Sequence, residues 1–464
     1  MTAPPEQAAV IPDVVPDGFL GCAQDYVARL HYRCNSQPYT SPVMDAGVTR
    51  IRWSRSLNEP GECEVVVAKS SLSPACCDAL GTAATVRLEL NIYRDGELVW
   101  VGPLVRRRET PTEFVLYAQD VLWWLSKIAN LLPFAHKQIC GETDTIPFRP
   151  SRCQIEDIAA NVLRAALFDP EPCCNCDPPK WMPDWKCTDP CPCDWPCLHP
   201  FLYAERNEDY PERPKWPVIQ FSMGGEWQNY TAYVDEIWRE LAAYGMHWTA
   251  IGRRIIIMKP RTDNDRHYQP RALITDDDIQ GDLEINEDAS NAATHAHAWS
   301  WAKIRCDTRQ EHPDGIKGVC CYTAKIAPCC QPDGTPAGCQ PYGRVDVIVR
   351  VENELAGHQE LRTAALMALG GRYPAPLTIT FPEGTRLRPE FRVAINKLIP
   401  GERYDVNLNR HCAPIRQGFR LTEVTVEWDG QHESVGIALA PLHRSALVTA
   451  ATTPSPCTDC GEAP

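Results

Sequence analysis

The sequence predicts an α+β protein that is mostly β, with a β-rich region near each end and a mixed centre. From Val48 to Tyr117 apolar and polar residues alternate with the period of two that is typical of half-buried strands, as at Ile51 and Trp53. The same alternation returns in Phe419 to Trp428 and in Ser434 to Leu439. At 464 residues the chain exceeds what one hydrophobic core usually organises, so several modules are expected.

Local signals predict the first turns and helices. Asp95-Gly96 has the composition of a tight hairpin turn. Asp120 is placed to cap a short helix that carries Leu122 and Leu125. A capping box at Ser151 to Gln154 begins an amphipathic helix that extends to about residue 168.

The second half of the chain predicts further regular elements. A helix with Val234, Ile237, Trp238 and Leu241 on one face ends at Gly245 and leads into a hairpin that turns at Gly252. Strands are expected at 289–304, 344–351 and 377–381. A helix is expected at 358–369, ended by the glycines 370 and 371.

These elements group into five predicted regions. They are a β-barrel-like domain at 18–132, an α/β module at 140–262 with a Cys-rich loop at 169–217, a β-rich module at 263–356 with a Cys-rich loop at 306–342, a last β-barrel-like domain at 357–445, and a flexible tail at 446–464.

Composition excludes several classes of protein. The net charge of −14 opposes the phosphate neutralisation on which nucleic-acid binding depends, so no sequence-specific nucleic acid is expected as a partner. No apolar run reaches the roughly 18 residues of a membrane span, and residues 1–17 lack the basic start of a secretory signal. A soluble, non-exported protein is expected.

Two insertions are rich in Cys and Pro, which disfavour regular structure over any length. In the first, short loops could hold zinc through thiolate and imidazole ligands, but adjacent and one-apart Cys dominate, which favours disulfides, with free thiols as a third interpretation. The candidates there are Cys173, Cys174, Cys176, Cys187, Cys191, Cys193, Cys197 and His199.

The second insertion is interpreted in the same way, as a loop held by disulfides. Its candidates are Cys306, Cys320, Cys321, Cys329, Cys330 and Cys339. Cys457 and Cys460 in the tail have the spacing of a redox motif without a strand and helix around them, so a flexible terminus is the expected state.

Other candidate residues have structural interpretations. His295 and His297 alternate on a predicted strand and are expected on one face, at the surface. Residues 276–278 form an acidic turn that lacks the spacing of a calcium loop. Asp120 and Glu433 could be taken for the carboxylate pair of a glycan hydrolase, but a helix cap and a strand start explain them.

The tryptophans fall into two sets. Trp123, Trp124, Trp238, Trp248, Trp299 and Trp301 lie on predicted helices and strands and are assigned to cores or subunit contacts. Trp181, Trp185, Trp195 and Trp216 lie in the first Cys-rich loop, where a small local core and a binding surface for a glycan or another protein are both possible. No nucleophile elbow, phosphate-binding loop or metalloprotease motif occurs, so no enzyme, cofactor or metal site is predicted.

Three stretches carry a resemblance to a known family. The most specific is 357–441, with an Ala-rich helix, a strand at 376–381, Leu398-Ile-Pro-Gly-Glu402 and a terminal strand pair. The others are 102–128, where a strand leads into the helix through Ala118-Gln-Asp-Val-Leu122, and 234–258 with its helix, Gly and hairpin. Their order resembles the baseplate and tail hub proteins of phages, including siphophage minor tail proteins.

The resemblance implies that two barrels like those of the tail tube bracket small α/β modules. It implies a homotrimer that forms a ring around the DNA channel and adapts a sixfold tube to threefold distal parts. The implied partners are the distal tail protein, the tape-measure protein and a distal fibre or spike, and the implied location is the tail tip of the virion. A host-adsorption protein that contacts the cell surface is the alternative function, followed by a cell-wall hydrolase.

Overall fold

The computed structural model describes residues 20, 23, 25–32, 47–128, 153–167, 201–204, 216–219, 232–260, 270–308, 317–326, 345–370, 372, 376–388, 391, 393–411, 414–442 and 448–450. The seven Cys and one His of the first Cys-rich loop, together with Cys329, Cys330, Cys339, Cys457 and Cys460, lie outside these residues.

The described residues are dominated by strands. In chain order the strands are β1 Tyr26–Tyr32, β2 Val48–Ser56, β3 Glu62–Ala68, β4 Leu88–Arg94, β5 Glu97–Glu109, β6 Glu113–Gln119, β7 Cys153–Gln154, β8 Phe201–Ala204, β9 Val218–Ile219, β10 His247–Ile251, β11 Arg254–Met258, β12 Leu273–Thr275, β13 Ile279–Gln280, β14 Glu284–Glu287, β15 His295–Ala302, β16 Gly318–Ile326, β17 Asp346–Arg350, β18 Leu377–Thr380, β19 Arg386–Leu387, β20 Arg403–Leu408, β21 Ile415–Trp428, β22 Glu433–Pro441 and β23 Val448–Ala450. The α-helices are α1 Pro74–Thr82, α2 Ile155–Leu167, α3 Val234–Ala242 and α4 His358–Leu369. The mostly-β prediction is confirmed.

One large sheet contains strands from both ends of the chain. Its order is β1-β4-β5-β6-β3-β2-β21-β22-β18-β14, and β20 and β12 branch from β21. The two β-rich regions meet where β2 pairs antiparallel with β21. Among the described strands this sheet does not close on itself, because its path ends at β1 and at β14.

The centre of the chain forms smaller sheets. One sheet has three strands, in the order β10-β11-β8. Another has four, in the order β17-β15-β16-β23. Two further sheets have two strands each: β7 pairs with β9, and β13 pairs with β19. The connections within the hairpins are short, whereas β15 and β17 run parallel, as expected for strands joined by a longer crossover.

The described residues form two large hydrophobic cores and a small third one around Met258. One lies under the large sheet and combines β1–β6 with β18–β22, including Trp53, Trp100 and Phe419. The other joins α2, α3 and α4 to the central sheets, around Trp238 and Trp248. Helix α4, assigned above to the last domain, packs in this central core against β15 and β16.

Several turn and cap predictions are confirmed. Asp95 and Gly96 both have positive φ, 48° and 86°, as a two-residue hairpin turn between twisted strands requires. Asp120 accepts a hydrogen bond from the Leu122 backbone, although the helix it caps is a single 3-10 segment, Val121–Ser126. Gly245 follows α3 with φ 95°, a value that favours Gly.

The structure corrects three expectations. Helix α1 interrupts the first β-rich region, with Ser73 as its cap and Pro74 at its first position. Strands β8, β16 and β23 lie in segments predicted to be irregular or flexible, and the predicted strand at 289–304 begins only at His295.

No helix among the described residues has the length and apolar character needed to cross a membrane.

Strand β16 shows why one Cys-rich segment is regular. Residues 318–326 alternate, so that Cys320 is buried while Cys321 is only half-buried on the opposite face. Cys packs as a small apolar residue, and here it follows the period of two that Val, Ile or Thr would show. The Pro content of the flanking residues concealed this pattern.

Candidate functional site: the junction of the first and last strands

At the junction between β2 and β21, strands from the two β-rich regions of the chain join in one sheet. Its register runs from Ile51 opposite Trp428 to Ser56 opposite Glu423 without a shift. Inward-facing residues of β2, Ile51 and Trp53, are almost fully buried. The junction therefore combines an uninterrupted ladder with a continuous apolar face.

A buried ion pair joins β4 to β22 beside this junction. Arg94 donates from Nε to Glu433 Oε1 over 2.7 Å and from Nη2 to Oε2 over 2.9 Å. Tyr26 on β1 donates its hydroxyl to the same Oε1 over 2.6 Å. Burial, and then the negative charge of Glu433, hold the pKa of Tyr26 well above its ordinary value. Both Glu433 oxygens are thus engaged in structural contacts.

Arg55 ties the two regions together from inside the sheet. Its guanidinium donates to the backbone carbonyl of Val99 over 2.8 Å and to that of Ile395 over 2.9 Å. The side chain also lies over the Trp53 ring, 4.9 Å from its centroid. Burial lowers the pKa of Arg55 to about 10, so the group stays charged at neutral pH.

Asp120 is a buried helix cap. Its Oδ1 accepts from the Leu122 amide over 2.9 Å and its Oδ2 from the Gly61 amide over 2.8 Å. Burial raises its pKa to about 7, against the opposing effect of these two amides and the charge of Arg55. The structure gives Asp120 and Glu433 separate partners, and each is explained by those partners.

The central part is attached to the junction through β10. The Asn58 amide donates to the Trp248 carbonyl over 2.8 Å, and the Trp248 amide donates back to Asn58 Oδ1 over 3.0 Å. Thr249 donates its hydroxyl to the Ser56 carbonyl over 2.9 Å. Gly401 packs so tightly against Met258 that an added Cβ would lie 2.4 Å from the Met sulfur.

Glu240 on α3 connects the central core to the segment after β17. Its Oε1 accepts from the amides of Glu352 and Asn353, over 3.0 and 3.3 Å. Burial raises the pKa of Glu240 to about 7, and the nearby charge of Glu352 adds to the shift, while the two amides oppose it. This carboxyl is thus balanced between its two protonation states near neutral pH.

The two alternating histidines share one face of β15, as predicted, and contact protein groups. The Nε2 of His297 lies 2.9 Å from Asp346 Oδ1, and its Nδ1 lies 2.9 Å from the Thr323 hydroxyl. Within the described residues no group of three or more His, Cys, Asp or Glu side chains is arranged to hold a metal ion.

The acidic turn at 276–278 contacts the chain around β20. Asp278 caps its own turn by accepting from the amide and hydroxyl of Thr275. Asp276 accepts from the Asn409 amide over 2.6 Å, and Asp277 pairs with Arg410 over 2.8 Å. These carboxylates stabilise a turn, consistent with the interpretation from sequence.

The described Cys residues of the second insertion form disulfides. Cys306 and Cys320 are joined by a disulfide across a separation of 14 residues. Cys321 is also disulfide-bonded. Among the described Cys outside this insertion, Cys63, Cys76 and Cys77 are free thiols, and burial raises the pKa of Cys63 well above its ordinary value.

The tryptophans divide differently from the prediction. Trp124, Trp238 and Trp248 belong to the central core, and so does Trp216, which was placed in the first Cys-rich loop. Trp301 is 43% exposed on the outer face of the β15 sheet, so of its two predicted places, a core or a subunit contact, the structure excludes only the core. Its β15 neighbour Trp299 packs edge-on against it, with 6.3 Å between ring centroids.

A shallow recess of about 520 Å³ lies over the junction on the outer face of the large sheet. Arg52 of β2, Glu64 of β3, Tyr117 of β6 and Glu423 of β21 line it. Charges of both signs alternate here, and Arg50 pairs with Glu64 at the rim. Such a surface suits polar contact with another macromolecule better than enclosure of a small ligand.

The fold thus defines a mostly β, α+β protein whose two ends share one sheet, and whose buried polar groups serve to fasten that sheet. No protein-family model matches the chain. No curated protein matches it either.

Solved structures with some similarity to the chain include several tail proteins. They include the 43 kDa tail protein of prophage MuSo2 from Shewanella oneidensis, at 11% identity and TM-score 0.49, over 92% of this chain and 100% of that one. The tail protein from Neisseria meningitidis MC58 has 13% identity and TM-score 0.48, over 89% and 96%. The prophage tail protein gp18 from Listeria monocytogenes has 10% identity and TM-score 0.47, over 89% and 94%. At these values the likeness assigns neither family nor function.

Proposed function

We propose that this chain is a structural protein of a phage tail tip, a hub that forms a ring around the DNA channel. The observation that carries the proposal is the pairing of β2 with β21, which places two β-rich regions from opposite ends of the chain side by side in one sheet. This agrees with the bracketed order of β, mixed and β elements on which the sequence resemblance rests.

Ring symmetry explains why such a chain would suit a hub. Two adjacent β-rich units in each chain give six units when three chains close around an axis. A ring of that kind would present a sixfold face to a tail tube and a threefold face to distal parts. The adaptor role therefore needs the two units to be held rigidly together.

The buried contacts at the junction supply that rigidity. Arg94 and Glu433 form a bidentate pair, and Arg55 spans carbonyls that lie 296 residues apart in the sequence, at Val99 and Ile395. Charge-assisted hydrogen bonds of this kind impose geometry as well as attraction. The net charge of −14 would also limit adhesion to DNA that passes through the ring.

A structural role is proposed in place of catalysis. The two carboxylates considered for a hydrolase, Asp120 and Glu433, are buried and accept hydrogen bonds from backbone amides, Arg94 and Tyr26. A product assay with host cell-wall glycan tests this part of the proposal, and release of soluble sugar by the purified chain would contradict it.

Mass measurement of the purified chain with and without the distal tail protein tests the hub. The expected result is a complex with three copies of this chain for six of the distal tail protein. A chain that stays monomeric and does not bind that partner would contradict the proposal.

Deletion of residues 169–217 separates the hub from the alternative, a host-adsorption protein. If the hub proposal holds and this loop makes its tail contacts, the deletion reduces incorporation into particles. Normal assembly with loss of cell binding alone would favour the adsorption protein.

A further inference from the structure

Strand β17 forms one edge of the four-stranded central sheet. Strand β15 pairs with it on one side, and the described sheet order ends at β17 on the other. The Val345 carbonyl accepts from the His295 amide, and the Val351 amide donates to the Trp299 carbonyl. Because the direction of backbone groups alternates along a strand, residues 346, 348 and 350 direct their amides and carbonyls away from β15.

The side chains of the same three residues stand on the outer face of the sheet. Ile348 is 72% exposed, the largest exposure among the large apolar residues in the described part of the chain. Asp346 and Arg350, two positions to either side, are also exposed. An exposed edge strand with a central aliphatic residue is a ready template for pairing with another strand.

The sequence of β17, Asp-Val-Ile-Val-Arg, is complementary to itself when reversed. If two copies pair antiparallel with Ile348 opposite Ile348, Asp346 of each copy faces Arg350 of the other. All three facing pairs then fall on hydrogen-bonded positions, and each such pair exchanges two backbone hydrogen bonds. Cross-strand pairs of opposite charge add to the stability of an antiparallel ladder.

We propose that two copies of this chain associate through β17, antiparallel and about a twofold axis at Ile348. The partner at this edge is a second copy of the chain, because a reversed copy of the same strand places its Arg opposite Asp346 and its Asp opposite Arg350. The contact continues the four-stranded sheet of one copy into that of the other.

Existing contacts hold the two charged side chains in place for this pairing. Asp346 contacts His297 over 2.9 Å, and Arg350 contacts Glu352 over 2.8 Å and lies over the Trp299 ring. A carboxylate has two oxygens and a guanidinium has five donors, so each group can take part in several hydrogen bonds at once.

The proposed contact does not depend on the proposed function. A twofold contact doubles whatever unit the chain otherwise forms, so a monomer becomes a dimer and a trimeric ring becomes a hexamer. Its role would be to cover the edge strand of chains that are not yet in a particle.

Sedimentation equilibrium of the full chain, from roughly 1 µM to 1 mM, tests the proposal. We expect doubling of the mass with concentration. Asp346→Arg and Arg350→Asp each place like charges opposite one another twice, so each should raise the dissociation constant about tenfold or more. The double variant restores opposite charges in reversed order and should recover most of the affinity.

The recovery distinguishes pairing from local disturbance, because Asp346→Arg removes the His297 contact in the single and the double variant alike. Ile348→Lys places two like charges opposite one another at the twofold axis, on an exposed position, and should also weaken association of the two copies. Leu273→Lys on β12, another exposed aliphatic residue near a sheet edge, is the matched control and should leave the mass unchanged. A wild-type chain that never doubles, or a doubling that the single reversals do not weaken or the double variant does not restore, would overturn the proposal.

Discussion

Arg94 and Glu433 lie 339 residues apart in the sequence and form a bidentate ion pair inside the protein, with side chains 6% and 0% exposed. The pair joins β4 of the first β-rich region to β22 of the last. Tyr26 completes it from the edge strand β1. This buried cluster of Tyr26, Arg94 and Glu433 therefore links the first β-rich region to the last, and its loss should lower the stability of the sheet that they share.

Glu433→Ala should lower the free energy of unfolding by about 3–5 kcal/mol, because it leaves the Arg94 guanidinium buried without its carboxylate. Asp277→Ala is the matched control, since it breaks the exposed pair with Arg410 and should cost about 1 kcal/mol or less. Chemical denaturation of the full chain measures both. Equal effects of the two substitutions would show that the cluster does not stabilise the junction.

Glu240→Gln should change the pH dependence of stability. The pKa of Glu240 is about 7 in the folded chain, above the ordinary value of 4.5, because the side chain is largely removed from solvent. Between these two values the folded state retains a proton that the unfolded state has released, so this group makes stability fall as pH rises from about 4.5 to about 7. The full difference is at most about 3 kcal/mol.

Gln is neutral at every pH and keeps an oxygen for the Glu352 and Asn353 amides. The variant should therefore match the wild type near pH 4.5 and exceed its unfolding free energy above pH 7. Glu59→Gln, at an exposed position, is the control and should follow the wild-type curve. A Glu240→Gln variant that is less stable than the wild type at pH 8 would contradict the assignment.

Gly102→Ala should strongly destabilise the contact between β5 and β6. A Cβ at Gly102 on β5 would lie 1.8 Å from the Gln119 carbonyl oxygen, and backbone must move to relieve this clash. Overpacking of this kind costs about 1–3 kcal/mol or more. Gly436→Ala on β22 is the control, because its nearest neighbour would be 3.7 Å away. Thermal unfolding should separate the two, and similar midpoints would refute this account of the β5–β6 contact.

Reduction of the Cys306–Cys320 disulfide should lower the stability of the central core by roughly 2–4 kcal/mol, because the link closes a short loop in the unfolded chain. Non-reducing peptide mapping should recover the two residues in one linked peptide. Stoichiometric zinc with free thiols after denaturation would show that these Cys serve a metal site instead.

Local signals in the sequence predicted individual elements well. The cap at Asp120, the turn at Asp95-Gly96 and the Gly after α3 each require specific backbone geometry that few residue types provide. Ser73 and Pro74 carry an equally specific signal for α1, but the surrounding period of two concealed it.

Contacts between distant segments were beyond prediction. Nothing in the residues around Ile51 or Trp428 specifies that β2 will pair with β21, since any half-buried strand would suit the same apolar face. Glu433 could be recognised as a residue at a strand start, but its partner Arg94 lies in another module of the chain. The expected pair of barrels likewise depended on pairing between strands. Among the described residues, the strands of the two β-rich regions share one large sheet that does not close on itself.

Localisation of this chain in intact particles tests the central claim most directly. Cryo-electron microscopy of tails that carry a tagged copy should show the tag at the distal tip, in three copies around the tail axis, beneath a sixfold ring. A tag on the capsid or along the tube, or a copy number at the tip that is not a multiple of three, would contradict the hub.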